Sequence, residues 1–136
     1  GDSGFYSSVN YMFDKLASMK LPITTIAGVP AFIAAGAISG LHIVKQEEKL
    51  VVLPGIITAE ELDSLLTSGY VVVIMKLSQC TSEIHRFMQT NRQHEFHYYE
   101  NVGTINELHS TNYKDIIQKE YPYFSLMIIR PGKQLA

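Results

Sequence analysis

The 136 residues include a single cysteine, Cys80, which excludes an internal disulfide and a thiolate metal cluster. The formal net charge is only -2, so the basic excess of a general nucleic-acid binder is missing. No apolar run approaches the length of a membrane span, and no charged-then-apolar leader opens the chain. These absences point to a reduced cytoplasmic setting, with neither nucleic acid nor membrane as partner. Three catalytic signatures are also missing: a Gly-x-Gly-x-x-Gly loop after a strand, a phosphate-cradling Lys-Ser/Thr loop and a Gly-x-Ser-x-Gly elbow.

What is present is the composition of a folded globular chain, 46% hydrophobic and 18% charged, at a length typical of one domain. Apolar positions Tyr6, Val9, Phe13, Leu16 and Ala17 give one helical stripe over residues 6–20, with Ser7 or Ser8 as cap and Pro22 beyond its end. Residues 23–27 are short and β-branched and read as a strand, after which Gly28 turns the chain. Residues 30–39 form a small-residue helix that Gly40 ends; Gly36 and Gly40 suit close packing on a neighbour. Residues 50–53 are a strand stopped by Pro54-Gly55. Thr58-Ala59-Glu60-Glu61 is a capping box for a helix ending at Gly69.

Residues 70–75 are almost continuously apolar, as in an interior strand buried on both faces. Ile84, Phe87 and Met88 mark another helix. Residues 95–99 and 123–129 read as strands paired in hairpin-like order, while 113–120 is either a polar strand or an exposed connection. Alternation followed by strands gives an α/β class, with a mixed β-sheet flanked by helices.

Metal and thiol chemistry find little support. His94 and His97 would point to opposite faces of a strand, and His42, His85 and His109 are isolated. Cys80 and His85 lie on different faces of one helix. What remains is a set of glycine-bearing loops at strand ends, where open α/β sheets bind ligands.

Those loops carry a resemblance. Gly1-Asp2-Ser3-Gly4-Phe5-Tyr6-Ser7 is similar to the Gly-Asp-Pro-x-x-Tyr-Ser loop of the tetrapyrrole methylases. Ala27-Gly28-Val29-Pro30-Ala31-Phe32 resembles their Pro-Gly-Ile/Val-Thr/Ser-Ser-Phe segment. Gly40-Leu41-His42-Ile43, Leu50 to Gly55, and Val72 to Lys76 resemble the precorrin-2 C(20)-methyltransferase branch. Tyr99 to Thr104 and Pro122 to Leu126 match its last two signatures. Ser3 and Ala27 replace prolines of the pattern, Gly4 an apolar residue, and Pro30 a hydroxyl residue.

The resemblance implies the second, C-terminal domain of a two-domain enzyme using S-adenosylmethionine. Residues 1–136 would be that single domain, residues 1–8 its hinge loop, and the first domain would be absent. It implies a cofactor site at Gly1, Asp2, Phe5, Pro30, Ala31, Met75, Gly103 and Ser125, and carboxylate-binding roles for Lys76 and Arg86 toward a tetrapyrrole substrate. No residue is singled out as a general base, and no metal site is implied. A homodimer is expected from the family and from apolar surface left uncovered. At Gly103, close approach of backbone to ligand is preferred over a positive φ, because Asn101-Val102 already breaks the strand. Two other readings stay open: another methylase of the same fold, and a non-catalytic dimerisation or docking module.

Overall fold

The computed structural model describes residues 1–132. Along the chain lie α1 (Asn10–Ser18), α2 (Ala31–Ser39), β1 (Leu50–Leu53), α3 (Ala59–Thr67), β2 (Val71–Met75), a 3-10 turn (Leu77–Cys80), α4 (Thr81–Thr90), β3 (Glu95–Glu100), β4 (Leu108–Ser110), α5 (Tyr113–Gln118) and β5 (Ser125–Arg130). No helix among the described residues is long and apolar enough to cross a membrane.

The strands form one mixed sheet in the order β1-β2-β5-β3-β4. β1 and β2 are parallel, joined through α3, and the other pairs are antiparallel. As expected from its apolar run, β2 is interior, with Val71 to Ile74 fully buried. β3 and β5 pair in register from Glu95↔Arg130 to Glu100↔Ser125. Side chains alternate between two faces. Val72, Ile74, Tyr98, Met127 and Ile129 pack with Leu62, Leu66, Ile84 and Phe87 of α3 and α4. Val71, Val73, Tyr99, Leu126 and Ile128 pack with Phe32 and Ala35 of α2.

Local signals explain several helix ends. Thr58 Oγ1 accepts from the Glu61 amide at 3.2 Å, while Glu83 on α4 accepts from the Ala59 amide at 2.9 Å, so a carboxylate of α4 helps to cap α3. Gly40 and Gly69 take positive φ, 69° and 88°, just past α2 and α3. Gly36 lies against Ile43, so the small-residue helix does approach a neighbour closely.

Four sequence expectations change. The first helix is shorter than 6–20, spanning Asn10–Ser18, and Val9 opens it without a side-chain cap; Ser7 Oγ instead accepts from the Val9 amide. Residues 23–27 pair with no strand among the described residues, and Ile26 is 83% exposed. Their β-branched pattern suits a sheet, but no neighbouring strand supplies hydrogen-bond partners. Residues 113–118 are neither strand nor open connection but α5, capped by Asn112 Oδ1, which accepts from Lys114 at 3.0 Å and burying Ile116. The fifth strand begins at Ser125 rather than 123.

His94 is buried, stacked on Phe87 with ring centroids 5.9 Å apart, and its Nδ1 accepts from the Gly132 amide at 2.9 Å. Burial lowers its pKa from the usual imidazole value, and Asp63 partly opposes this. The neutral ring is the form the fold prefers. Its contribution is therefore full above the unfolded-state pKa and is lost as pH falls through the lower folded-state value. Thermal unfolding should show a midpoint falling between pH 7 and pH 5, with a smaller fall in His94→Gln; equal slopes for both would remove His94 as the cause.

Candidate functional site

The site lies at the end of the sheet where β1, β2 and β3 finish and β5 begins. A cleft of about 410 Å³ opens there. Its walls come from four regions: Gly1, Phe5 and Tyr6 of the opening loop; Ala31 at the start of α2; Met75 and Lys76 at the end of β2; and the loops around residues 101–104 and 123–126.

Asp2 does not line this cleft. It organises it. Its Oδ2 accepts from the Gly28 amide at 2.7 Å and its Oδ1 from the Gly4 amide at 2.8 Å. The Gly28 bond and then the Gly4 bond hold its carboxyl below the ordinary carboxylate range. The 26-residue span between Asp2 and Gly28 is thereby closed. Gly28 is required by close approach, since a Cβ there would sit 2.8 Å from the Gly1 carbonyl oxygen. Pro30 then opens α2 with φ -62° and ψ 151°, carrying Ala31 into the cleft.

Three of the non-glycine residues with positive φ, Tyr6 (49°), Lys76 (55°) and Asn101 (51°), line this one cleft. Such strain persists only where surrounding structure enforces it, and it gathers at ligand sites. At Lys76 the enforcement is visible. Its carbonyl oxygen packs directly on Gly55 and accepts from the Gln79 amide at 3.1 Å. Its ammonium lies 5.9 Å from the centroid of the Tyr6 ring, within cation–π range. At Asn101 the backbone amide donates to the Phe124 carbonyl at 2.8 Å, tying two cleft loops together.

Of the ten residues expected at the site, the structure brings Gly1, Phe5, Ala31, Met75, Lys76 and Ser125 to the cleft wall. Asp2 and Pro30 support the wall from behind. Ser125 is buried, and its hydroxyl donates to the Pro122 carbonyl at 2.6 Å. Arg86 is elsewhere: it sits on α4, paired with Glu83 at 2.9 Å and Glu60 at 3.5 Å. Gly103 is not on the wall either, although Val102 and Thr104 are. Its φ is 81°, and a Cβ there would meet nothing within 4 Å. The expectation that φ need not be positive here is therefore corrected, and the left-handed backbone is by itself a reason for glycine. Asn101 does not absorb the whole turn; both residues take positive φ. Gly103→Ala should destabilise by about 1 kcal/mol and Gly103→Asn by less, because asparagine tolerates this region. Denaturant midpoints test this, and an unchanged midpoint in Gly103→Ala would contradict it.

Sequence reasoning named the 101–104 and 123–125 loops but passed over Tyr6, Asn101, Tyr123, Phe124 and Leu126 as site residues. The available signal was an aromatic pair placed between a proline and a strand. Cys80 has no part in the site: burial, then the Glu83 charge, pushes its thiol up to about 11, far from a reactive thiolate. Among the described residues no group of three His, Cys, Asp or Glu side chains could hold a metal ion.

The cleft chemistry is consistent across its wall. Lys76 is its one charged side chain, and aromatic and aliphatic groups supply much of the rest. Such a lining fits a ligand with a flat apolar part and a negative group.

The chain is similar to several known proteins. Residues 1–115 match the family model for Tetrapyrrole (Corrin/Porphyrin) Methylases. A curated precorrin-2 C(20)-methyltransferase from a Sinorhizobium species is 30% identical over 132 residues, covering 97% of this chain and 53% of the relative. The chain thus spans about half the length of that curated relative. Among solved structures, a cobalt precorrin-4 methyltransferase superposes with a TM-score of 0.73 at 15% identity, over 96% of this chain and 61% of its own. A uroporphyrin-III C-methyl transferase from Thermus thermophilus, complexed with S-adenyl homocysteine, gives a TM-score of 0.64 at 15% identity, over 96% and 62%. At these identities the two structures speak for the fold alone.

Proposed function

The chain belongs to the tetrapyrrole (corrin/porphyrin) methylases, and from that premise we propose that it is the C-terminal half of an S-adenosylmethionine-dependent methyltransferase acting at C20 of precorrin-2 or cobalt-factor II. The observation that carries this reading is the cleft itself, where six of the residues singled out by family-like motifs meet at one end of the sheet. The C20 assignment draws on the 30% identical Sinorhizobium relative.

The cleft fits the cofactor in size and lining. Phe5, Met75 and Leu126 offer apolar surface for an adenine ring, and Lys76 offers a cation for a carboxylate of the tetrapyrrole substrate. Bound S-adenosylmethionine supplies an activated methyl group on a sulfonium. The chain's own residues therefore serve to bind, orient and exclude water. Asp2 holds the hinge loop against Gly28, and Gly55 holds Lys76 at the cleft wall.

Residues 10–29 suggest how the rest of the enzyme attaches. α1 has no fully buried residue, and Tyr11, Met12, Met19, Ile26 and Val29 are exposed. An apolar surface of this kind needs a cover. In this reading the other half of the relatives' length packs there, forms the second wall of the cleft, and leaves room for a second copy as homodimer partner. The same surface also fits a docking module without catalysis.

The test uses the two-domain protein with labelled S-adenosylmethionine and each of the two substrates. One methyl group should appear at C20, and transfer to neither substrate would overturn the assignment. The described half alone should neither transfer methyl groups nor bind the cofactor in calorimetry. Micromolar binding by this half would show that one wall suffices.

A further inference from the structure

We infer that Glu107, which lies outside the cleft, is a positioning residue: its carboxylate locks residues 101–104 in the shape that presents Val102 and Thr104 to the cofactor. This deepens the methyltransferase reading above and rests on it.

Residues 101–107 join β3 to β4. Glu100 ends one strand, Leu108 begins the other, and the two residues are paired. Asn101, Val102 and Thr104 line the cleft, while Gly103 and Glu107 do not. Asn101 and Gly103 both hold positive φ, 51° and 81°. A chain that turns left-handed at both positions keeps that course only where surrounding bonds hold it. The Asn101 carbonyl accepts from the Thr104 amide at 3.1 Å and from the Thr104 hydroxyl at 2.8 Å. The Gly103 amide donates to Glu107 Oε2 at 2.7 Å, and the Glu107 amide donates to the Thr104 carbonyl at 3.2 Å. Glu107 is thus tied to the loop through both its side chain and its backbone, immediately before the sheet resumes.

The carboxylate does more here than hydrogen-bond accounting requires. Gly103 is exposed, so water satisfies its amide when Glu107 is truncated, and no buried group is left without a partner. The fold therefore loses little. The loop loses its tie to the start of β4, and a ligand must then remove the freedom gained. An amide-to-carboxylate bond is shorter and stronger than a neutral one, which suits a tie that must hold two left-handed residues. Because Glu107 is not on the cleft wall, its effect on a ligand passes through Val102 and Thr104.

The experiment uses the two-domain protein, with S-adenosylhomocysteine binding in calorimetry and exchange of the Gly103 amide followed by NMR. Glu107→Ala should raise the Kd about 5- to 10-fold and speed Gly103 exchange about 10-fold. The melting midpoint of the cofactor-free protein should move by less than about 3 °C. Glu107→Asp, one methylene short of Gly103, should behave like Glu107→Ala. Glu107→Gln keeps an acceptor oxygen at the same reach and should return the Kd to within about twofold of wild type. Faster Gly103 exchange with an unchanged Kd would overturn the proposal, as would equal loss of affinity in the Gln and Ala variants. A midpoint falling in step with affinity would make Glu107 a structural residue only and overturn it too. If Glu107→Ala fails to fold, the Asp and Gln pair decides: weaker binding in Asp than in Gln supports the proposal, and equal binding defeats it. Wild-type protein that binds S-adenosylhomocysteine, with unaffected variants, defeats the positioning role alone. Wild-type protein that does not bind it defeats the methyltransferase reading with it.

Discussion

Gly55→Ala is expected to destabilise the fold by about 3 kcal/mol and to dislodge Lys76 from the cleft wall. Gly55 follows Pro54 at the end of β1. A Cβ placed there would overlap the Lys76 carbonyl oxygen and lie 3.0 Å from its carbonyl carbon and 3.1 Å from Gln79 Cβ. The obstacle is backbone, so no side chain can swing aside. Relief requires separating the ends of β1 and β2, which are held by the parallel register through Leu53↔Ile74. Gly69→Ala is the control, because its φ is 88° and nothing lies within 4 Å of its Cβ position. That change carries only a backbone cost of about 1 kcal/mol. Urea midpoints for both variants test the contrast, and equal costs would show that the Lys76 contact does not constrain Gly55.

Ile74→Ala should cost about as much, roughly 3–4 kcal/mol. Ile74 is fully buried in the second strand of the sheet order, paired with Leu53 on one side and Met127 on the other. Truncation removes buried apolar surface and leaves a cavity between the sheet and the α3–α4 layer, where neighbours on both strands are fixed. Met12→Ala, on the exposed face of α1, should change stability by less than about 0.5 kcal/mol in this half of the protein. A comparable loss at Met12 would mean that α1 is packed after all.

The same two positions show what was legible in the sequence. Val71 to Met75 announces an interior strand because burial on both faces demands an unbroken apolar run, and Ile74 lies within it. α3 is equally plain, from Thr58 and the two glutamates after it to Gly69. Residues 23–27 are the opposite case. Their β-branched pattern reports fitness for a sheet, but a strand exists only where another pairs with it. α5 was hidden for a different reason: six residues with Ile116 as the buried one cannot display a helical period.

At the site, composition alone pointed to loops at strand ends, and likeness to family motifs supplied the particular residues. It led to Met75, Lys76 and Ser125 but also to Arg86, whose position on α4 turns it toward Glu83 and Glu60. The loop holding Tyr123 and Phe124 was named, but the two rings were not counted as site residues, because an aromatic pair before an apolar run reads as the start of the strand. Only coordinates show that the strand begins two residues later and leaves both rings in solvent.

The position of β5 has a consequence for how the chain is made. It is the last of the five strands along the chain, yet it lies between β2 and β3. On the ribosome, the β1–α3–β2 unit and the β3–β4 hairpin emerge as separate pieces, each with one open hydrogen-bonding edge that β5 later fills. The two edges are rich in apolar side chains, including Val72 and Ile74 on one and Phe96 and Tyr98 on the other. Until residues 125–130 leave the exit tunnel these pieces cannot join, and each is a template for pairing with another nascent chain. A premature stop before Ser125 would therefore leave two adhesive half-sheets rather than a slightly shortened domain.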